Sequence, residues 1–256
     1  MITDTEGIVL RQTKTVAGRR MILLFSRKFG KISVGTSAAE GGKNKSALAA
    51  RPFTYGRYEL FKGRDSYNLN NGQVIKSYYG IGEDLDKYLA ASYVLELTEK
   101  LLAEDLPQPA IFRILLDFFE ALETRSRKHE TLVMAYIVKV LDALGTMPVL
   151  DKCVCCGKPA DGKHFSVSEG GVICGDCVKS FRETTTNEAL IYDVNFGIVD
   201  ILKYFRKEPF NAFGRIALDE RIFKQLNVIM KSYLTYHFDI GKLKSESIFS
   251  QNLRSD

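Results

Sequence analysis

Cys153-Val154-Cys155-Cys156-Gly157, followed through residue 173 to Cys174-Gly175-Asp176-Cys177, holds all five cysteines of the 256-residue chain. Two Cys-x-x-Cys pairs at this separation are the pattern of a four-thiolate zinc site, because each tight turn offers two sulfurs and a tetrahedral ion needs two such turns. The residues between the pairs suit that geometry. Lys163-His164-Phe165-Ser166-Val167 is expected as a short strand, Glu169-Gly170-Gly171 as a turn and Val172-Ile173 as the return strand. The expected ligands are Cys153, Cys156, Cys174 and Cys177, with one Zn²⁺ as a structural cofactor. Cys155 is left as a free thiol and His164 as a surface residue. A pair of disulfides competes with zinc. It is disfavoured because Met1-Ile2-Thr3-Asp4 does not look like a targeting segment and a reducing, intracellular setting is expected. Four protein ligands close a tetrahedral ion to substrate, so this metal would clasp a fold and function has to come from elsewhere.

Upstream of the cysteines the period is helical. Tyr88, Ala91, Val94, Leu95, Leu101 and Leu102 make one stripe, Ile111, Ile114, Leu115, Phe118 and Leu122 a second, and Val133, Ile137, Val140, Leu141 and Leu144 a third. Downstream, Asn187 is expected to cap a helix carrying Leu190, Val194, Ile198, Ile201, Leu202 and Phe205, and Asp219 to cap a last long helix. The cysteine module is therefore expected as an insertion at about residues 150–180 of a helical domain spanning residues 81–256.

Residues 1–80 differ. Glu6–Arg11, Arg20–Ser26, Lys31–Thr36 and Phe53–Phe61 read as strands, and Asn70-Asn71-Gly72 as a hairpin turn before a fifth strand near Gln73 to Tyr78. Five short strands without a long helix suit a small closed barrel. An OB-fold β-barrel is the first choice and an SH3-like barrel the second. The expected class is α+β and multidomain: this barrel, then the all-α domain with its inserted four-cysteine zinc module. The basic stretch Thr36 to Arg51 is expected as a loop. Gly42-Lys43 within it does not complete an NTPase phosphate loop, since Asn44 stands where Ser or Thr is required.

Charge separates the two parts. The chain has a net charge of +5, but residues 1–80 hold seven Lys and seven Arg against five acids, a balance of +9 that leaves −4 for the rest. A cationic barrel points to nucleic acid, bound through phosphates and through stacking on Phe29, Phe53, Tyr55 or Tyr58. The candidate DNA-binding residues are Arg11, Arg19, Arg20, Lys31, Lys43, Lys45, Arg51 and Arg57. His129, His164 and His237 stand in separate segments without a plausible nucleophile, so no enzyme is expected. No apolar run approaches 20 residues, which argues against a membrane span. An RNA-binding or ribosome-associated protein and a protein-interaction adaptor are the competing readings.

Four features in order carry a family resemblance: Glu6-Gly7-Ile8-Val9-Leu10; the basic stretch leading to Arg51-Pro52-Phe53-Thr54 and Tyr58-Glu59-Leu60; Ala91-Ser92-Tyr93-Val94-Leu95-Glu96-Leu97; and the cysteine module with Gly170-Gly171-Val172-Ile173. Together they resemble the bacterial RecO family of DNA repair proteins over nearly the whole chain. The resemblance implies an OB-fold domain followed by a helical domain with a zinc-binding insert. It implies a recombination mediator that binds single- and double-stranded DNA, anneals complementary strands and works with RecR, and with RecF. It also implies contact with the single-stranded DNA-binding protein in loading RecA, and a cytoplasmic, nucleoid-associated location. Some members of the family lack the cysteines, so the shared activity does not require the metal.

Overall fold

The computed structural model describes residues 1–15, 20–37, 45–64, 66–184, 190–195, 197–213 and 216–246. The chain forms two compact units: Met1–Arg125 with Leu243–Asp256, and Ser126–Lys242. Arg19, Lys43, Asn44 and Asn187, singled out in the sequence, lie outside the described residues.

The first unit is built on strands β1 (Ile2–Lys14), β2 (Arg20–Ser26), β3 (Gly30–Thr36), β4 (Thr54–Lys62) and β5 (Tyr67–Ser77). They close in the order β1-β2-β3-β5-β4, with β1 paired antiparallel to both β2 and β4. The last seam is parallel and short, formed by Val34 with Tyr67 and Gly35 with Asn68. A five-stranded barrel with this order is the OB topology. Its core holds Val9, Ile22, Leu24, Ile32, Val34, Tyr58 and Leu60, the inward set expected from period-two alternation.

Two expectations change here. Asn70-Asn71-Gly72 is not a turn. β5 runs unbroken through it, with Asn71 opposite Glu59 and Gly72 opposite Tyr58. The register shifts between Tyr55 and Gly56 and between Glu59 and Leu60, so bulges bend this long hairpin around the barrel. The expected loop from Thr36 to Arg51 contains helix α1 (Lys45–Ala49), whose Ala47 and Ala49 are buried. Tyr58, fully buried, donates its hydroxyl to the Ala49 carbonyl at 2.7 Å and ties α1 to the barrel. Burial raises the pKa of that phenol and keeps it a donor.

The same unit carries α2 (Tyr79–Gly82), α3 (Leu85–Leu101) and α4 (Pro109–Thr124). Asp84 caps α3 by accepting from the Asp86 and Lys87 amides, and Pro109 opens α4 where its missing N–H costs nothing. The connection between α3 and α4 packs closely on the β2–β3 turn. Gly30 has φ +72, and a Cβ there would fall 2.3 Å from the Leu106 carbonyl oxygen. The carboxyl-terminal segment returns to this unit. The amides of Lys244 and Ser245 each donate to Glu96 at 2.9 Å, and the Ser245 hydroxyl donates at 2.7 Å.

In the second unit α5 (His129–Ala143) is apolar on nearly every side and buried from Leu132 to Val138. Arg206 of α7 (Ile198–Lys207) pairs with Asp142 at 2.8 Å, and Lys139 sits over Phe213 of the following 3-10 turn. A three-stranded sheet, β7-β6-β8, contains β6 (His164–Ser166), β7 (Gly171–Ile173) and β8 (Ile191–Asp193). The first two match the expected hairpin. The third replaces the expected start of a helix: Ile191–Asp193 is extended and pairs with β6, and α7 begins at Ile198. The sheet rests on α8 (Glu220–Phe238), through Phe165 against Tyr233, Tyr192 with Ser232 at 2.8 Å, and His237 donating to the Val167 carbonyl at 2.7 Å. α6 (Gly175–Thr184) follows the second cysteine pair. No helix among the described residues is long and apolar enough to cross a membrane.

Two outcomes are expected. Gly30→Ala should cost about 2–3 kcal/mol, since both φ and the Leu106 backbone oppose a side chain; an unchanged urea midpoint by circular dichroism would contradict the packing described. Burial acts to raise the Glu96 pKa, but the Ser245 and Lys244 donors outweigh it and hold the group below the ordinary glutamate value. Its contribution is therefore present above the unfolded-state value and is lost as pH falls through the lowered one. Protection factors at residues 243–246, taken relative to the intrinsic exchange rate at each pH, should fall on acidification in the native protein, and should already be low at neutral pH in Glu96→Gln.

Candidate metal centre and nucleic-acid interface

The sulfurs of Cys153, Cys156, Cys174 and Cys177 all lie within 4.8 Å of one another, and Cys156 and Cys174 are 3.7 Å apart. A tetrahedral ion with metal–sulfur bonds of about 2.3 Å needs sulfurs about 3.8 Å apart, so the spacing fits. Local backbone sets it. The Cys153 amide donates to the Lys158 carbonyl at 2.8 Å and the Gly157 amide to the Cys153 carbonyl at 2.9 Å, which closes the first turn. The second pair enters from β7 and the start of α6. Gly171 is required here: a Cβ would meet the Val149 carbonyl oxygen at 2.4 Å, and Val149 exchanges backbone hydrogen bonds with Gly170 and Val172.

The electrostatics also suit a cation. Burial pushes the Cys153 thiol up, but the amides of Cys156, Cys174 and Cys155 outweigh it and hold the pKa at about 6. Cys177 moves the other way, raised by its hydrogen bonds to the Cys174, Cys153 and Cys156 sulfurs. Four sulfurs this close cannot all ionise on their own; a divalent ion removes the conflict by making each a thiolate ligand. The surrounding core consists of Cys153, Ile173 and Val178 with a few half-buried neighbours, too little to hold the module alone. Cys155 stands outside the set and is exposed; partial desolvation, then the charge of Cys153, pushes its thiol up to about 11.

The other two histidines are engaged by their surroundings. His164 Nδ1 is 2.7 Å from Asp193 across β6 and β8, and His129 is buried at the start of α5.

The candidate cations of the barrel divide into groups. Arg11 forms a two-oxygen contact with Glu99 of α3 at 2.9 Å, and Lys31 donates to the Glu99 carbonyl at 2.8 Å. These two therefore fasten barrel to helix. Arg57 is exposed and stands opposite Glu6, whose carboxylate accepts from Tyr55 at 2.8 Å and from Arg27 at 3.1 Å. Those contacts, the Tyr55 hydrogen bond first, hold Glu6 below its ordinary value. Lys45 is exposed at the start of α1, with Arg51 half-buried just past its end. Arg20, the first residue of β2, stands opposite Lys14, the last of β1, and Thr36 ends β3 beside it. Of the expected stacking residues, Tyr58 is core, whereas Phe29, Phe53 and Tyr55 are half-buried. Phe53 packs edge-on to Tyr88 and Phe119, and Tyr55 edge-on to Phe112.

A second group was legible only in part: Phe29 is among the expected stacking residues, whereas Lys62, Arg64 and Tyr67 carry no expected role. Lys28, Phe29, Lys62, Arg64 and Tyr67 line one groove. Their only signal is a basic residue near an aromatic in each of two segments more than 30 positions apart.

Against known families, residues 1–78 match the model described as recombination protein O N terminal, and residues 82–247 match recombination protein O C terminal. The chain belongs to the recombination protein O family. A DNA repair protein RecO from Thermoanaerobacter sp. (strain X514) is 29% identical over 255 residues, covering 99% of each chain. One from Pelotomaculum thermopropionicum is 32% identical, covering 91% of this chain and 88% of its own. One from Caldanaerobacter subterraneus subsp. tengcongensis is 28% identical over 92% of this chain and 93% of its own. Membership gives this RecO-family chain a role in DNA repair and recombination.

If the cysteine cluster of this RecO-family chain takes a metal, titration with Co²⁺ should produce the visible absorption of a tetrahedral thiolate complex at one equivalent. Cys174→Ser should abolish or shift that absorption, and Cys155→Ser should leave it intact. Affinity should fall as pH falls, because protons compete for the sulfurs. A spectrum lost in Cys155→Ser would reassign the ligands.

Proposed function

We propose that this chain is a recombination mediator: it binds single- and double-stranded DNA through its barrel, anneals complementary strands, and helps load RecA onto DNA coated with single-stranded DNA-binding protein. The observation that carries the reading is the coincidence of an OB barrel, closed by β1 with β4 and β3 with β5, with a +9 balance in residues 1–80. Two phosphate backbones repel each other. A cationic surface that neutralises both lowers the repulsion and favours pairing of their bases. The exposed Lys45 and Arg57, with Arg51, are the cations of the expected set best placed for this, while Arg11 and Lys31 hold the barrel to α3. The step is physical and needs no catalytic group, so the chain is proposed to work without enzymatic chemistry. RecR, with RecF, and the single-strand binder are the proposed protein partners, in the cytoplasm.

Zn²⁺ is the proposed metal, since four sulfurs in a closed tetrahedral set suit it. It would supply folding energy to the module between Cys153 and Cys177, with no open position for a reactant.

A labelled single strand titrated across a salt series tests the reading. Log affinity should fall linearly with log salt, with a slope of about −0.7 per phosphate neutralised. Changing Lys45, Arg51 and Arg57 together to Ala should shrink that slope and weaken binding at low salt. A flat salt response, or strong preference for an RNA competitor of equal length, would overturn it.

A further inference from the structure

We propose that the groove between the β2–β3 turn, the β4–β5 loop and the α3–α4 connection is a subsite for one nucleotide of a single strand, with Phe29 and Tyr67 as its base platform and Lys28, Lys62 and Arg64 as its phosphate contacts. The inference rests on the nucleic-acid reading of the barrel and goes beyond it by naming where a strand is held.

The groove has a cavity of about 530 Å³, within the range of roughly 300–1,000 Å³ that suits a small ligand. Its floor is aromatic. Phe29 and Tyr67 have centroids 5.6 Å apart, inclined by 38°, and both pack on the barrel core while remaining half-exposed. The cations stand over this floor. Lys28 Nζ lies 5.3 Å from the Phe29 centroid, and Lys62 Nζ 5.7 Å and 5.5 Å from those of Phe29 and Tyr67. Arg64 is exposed on the loop between β4 and β5. A ring face with an ammonium above it is what a base with its phosphate requires: the base takes the face, and the flexible lysine moves to the phosphate.

The acids of the groove stand on the other side. The Asp105 amide donates to the Lys31 carbonyl, and Lys31 is bridged to Glu104, so both carboxylates belong to the wall that carries Lys31. They repel a backbone from that wall and leave the Lys62 and Arg64 side for phosphate. The groove exists because β3 pairs with β5 only at Val34 and Gly35, so the first half of β3 is not covered by β5. A stacked duplex hides its base faces, so this platform serves a single strand.

The test uses the full-length chain and an oligothymidylate carrying one photoreactive 5-iododeoxyuridine. Irradiation followed by digestion and mass spectrometry should place the adduct on the peptide of Phe29 or of Tyr67. Lys62→Glu with Arg64→Glu, both exposed, should weaken binding at least ten-fold and reduce the salt slope by about 1.4, two contacts at about 0.7 each. Tyr67→Leu should weaken binding about ten-fold and Tyr67→Phe hardly at all, at an unchanged melting temperature. Full affinity in the charge-reversal variant, with adducts mapping elsewhere, would overturn the subsite while leaving the DNA-binding reading intact. A native chain that fails to bind the oligonucleotide at low salt would overturn both.

Discussion

The barrel depends on its shortest seam. β1 and β4, and β4 and β5, share long antiparallel ladders, but the sheet closes through only two parallel pairs, Val34 with Tyr67 and Gly35 with Asn68. The shortness has a cause. β2 and β3 are seven residues each, whereas β4 and β5 form a longer, bulged hairpin that must bend to meet them. Closure at the far end of β3 leaves its near end facing the α3–α4 connection, which takes over as a partner through Lys31 and Glu104. The tight approach of Leu106 to Gly30 belongs to the same compromise. One geometric constraint thus both completes the barrel and opens a groove beside it.

The cysteine module obeys a different constraint. Each strand of its sheet is three residues long, and its own core is three residues wide. Hydrophobic burial of that size does not offset the entropy of ordering some 25 residues, at about 1–2 kcal/mol each. Packing on α8 supplies part of the difference, through Phe165, Tyr192 and His237's bond to Val167. The remainder falls to the four sulfurs. Sulfurs gathered within 4.8 Å of one another repel as thiolates, and a cation among them would relieve that repulsion.

Local rules made most of the fold legible. Alternation located β4, short apolar runs with glycine punctuation located β2 and β3, and cysteine spacing with Gly170-Gly171 located the β6–β7 hairpin. Asp84 and Asp219 cap α3 and α8, though only Asp219 was named from the sequence. What failed were places where tertiary pairing overrides local signal. Asn70-Asn71-Gly72 has turn chemistry, yet Glu59 and Tyr58 lie opposite and extend it. Ile191–Asp193 has no strand partner nearby in sequence; β6 supplies one, pairing Ser166 with Ile191. For the cations, residue type was legible but role was not. Arg11 and Lys31 look like any exposed base in the sequence, and only the meeting of β1, β3 and α3 shows that Glu99 holds both.

That division of labour decides what a surplus of charge means. Part of the +9 is internal fastening: Arg11 and Lys31 on Glu99, Arg27 on Glu6, Lys76 on Glu120 and Glu123. These pairs neutralise acids that would otherwise repel a phosphate backbone, so their effect on binding is indirect. The exposed Lys28, Lys62 and Arg64 come from the β2–β3 turn, the end of β4 and the β4–β5 loop to line one groove, and the exposed Lys45 stands on α1. Charges dispersed over loops bind a flexible backbone through many weak, salt-screened contacts. Such contacts can be given up one at a time. That property suits the proposed strand-pairing role.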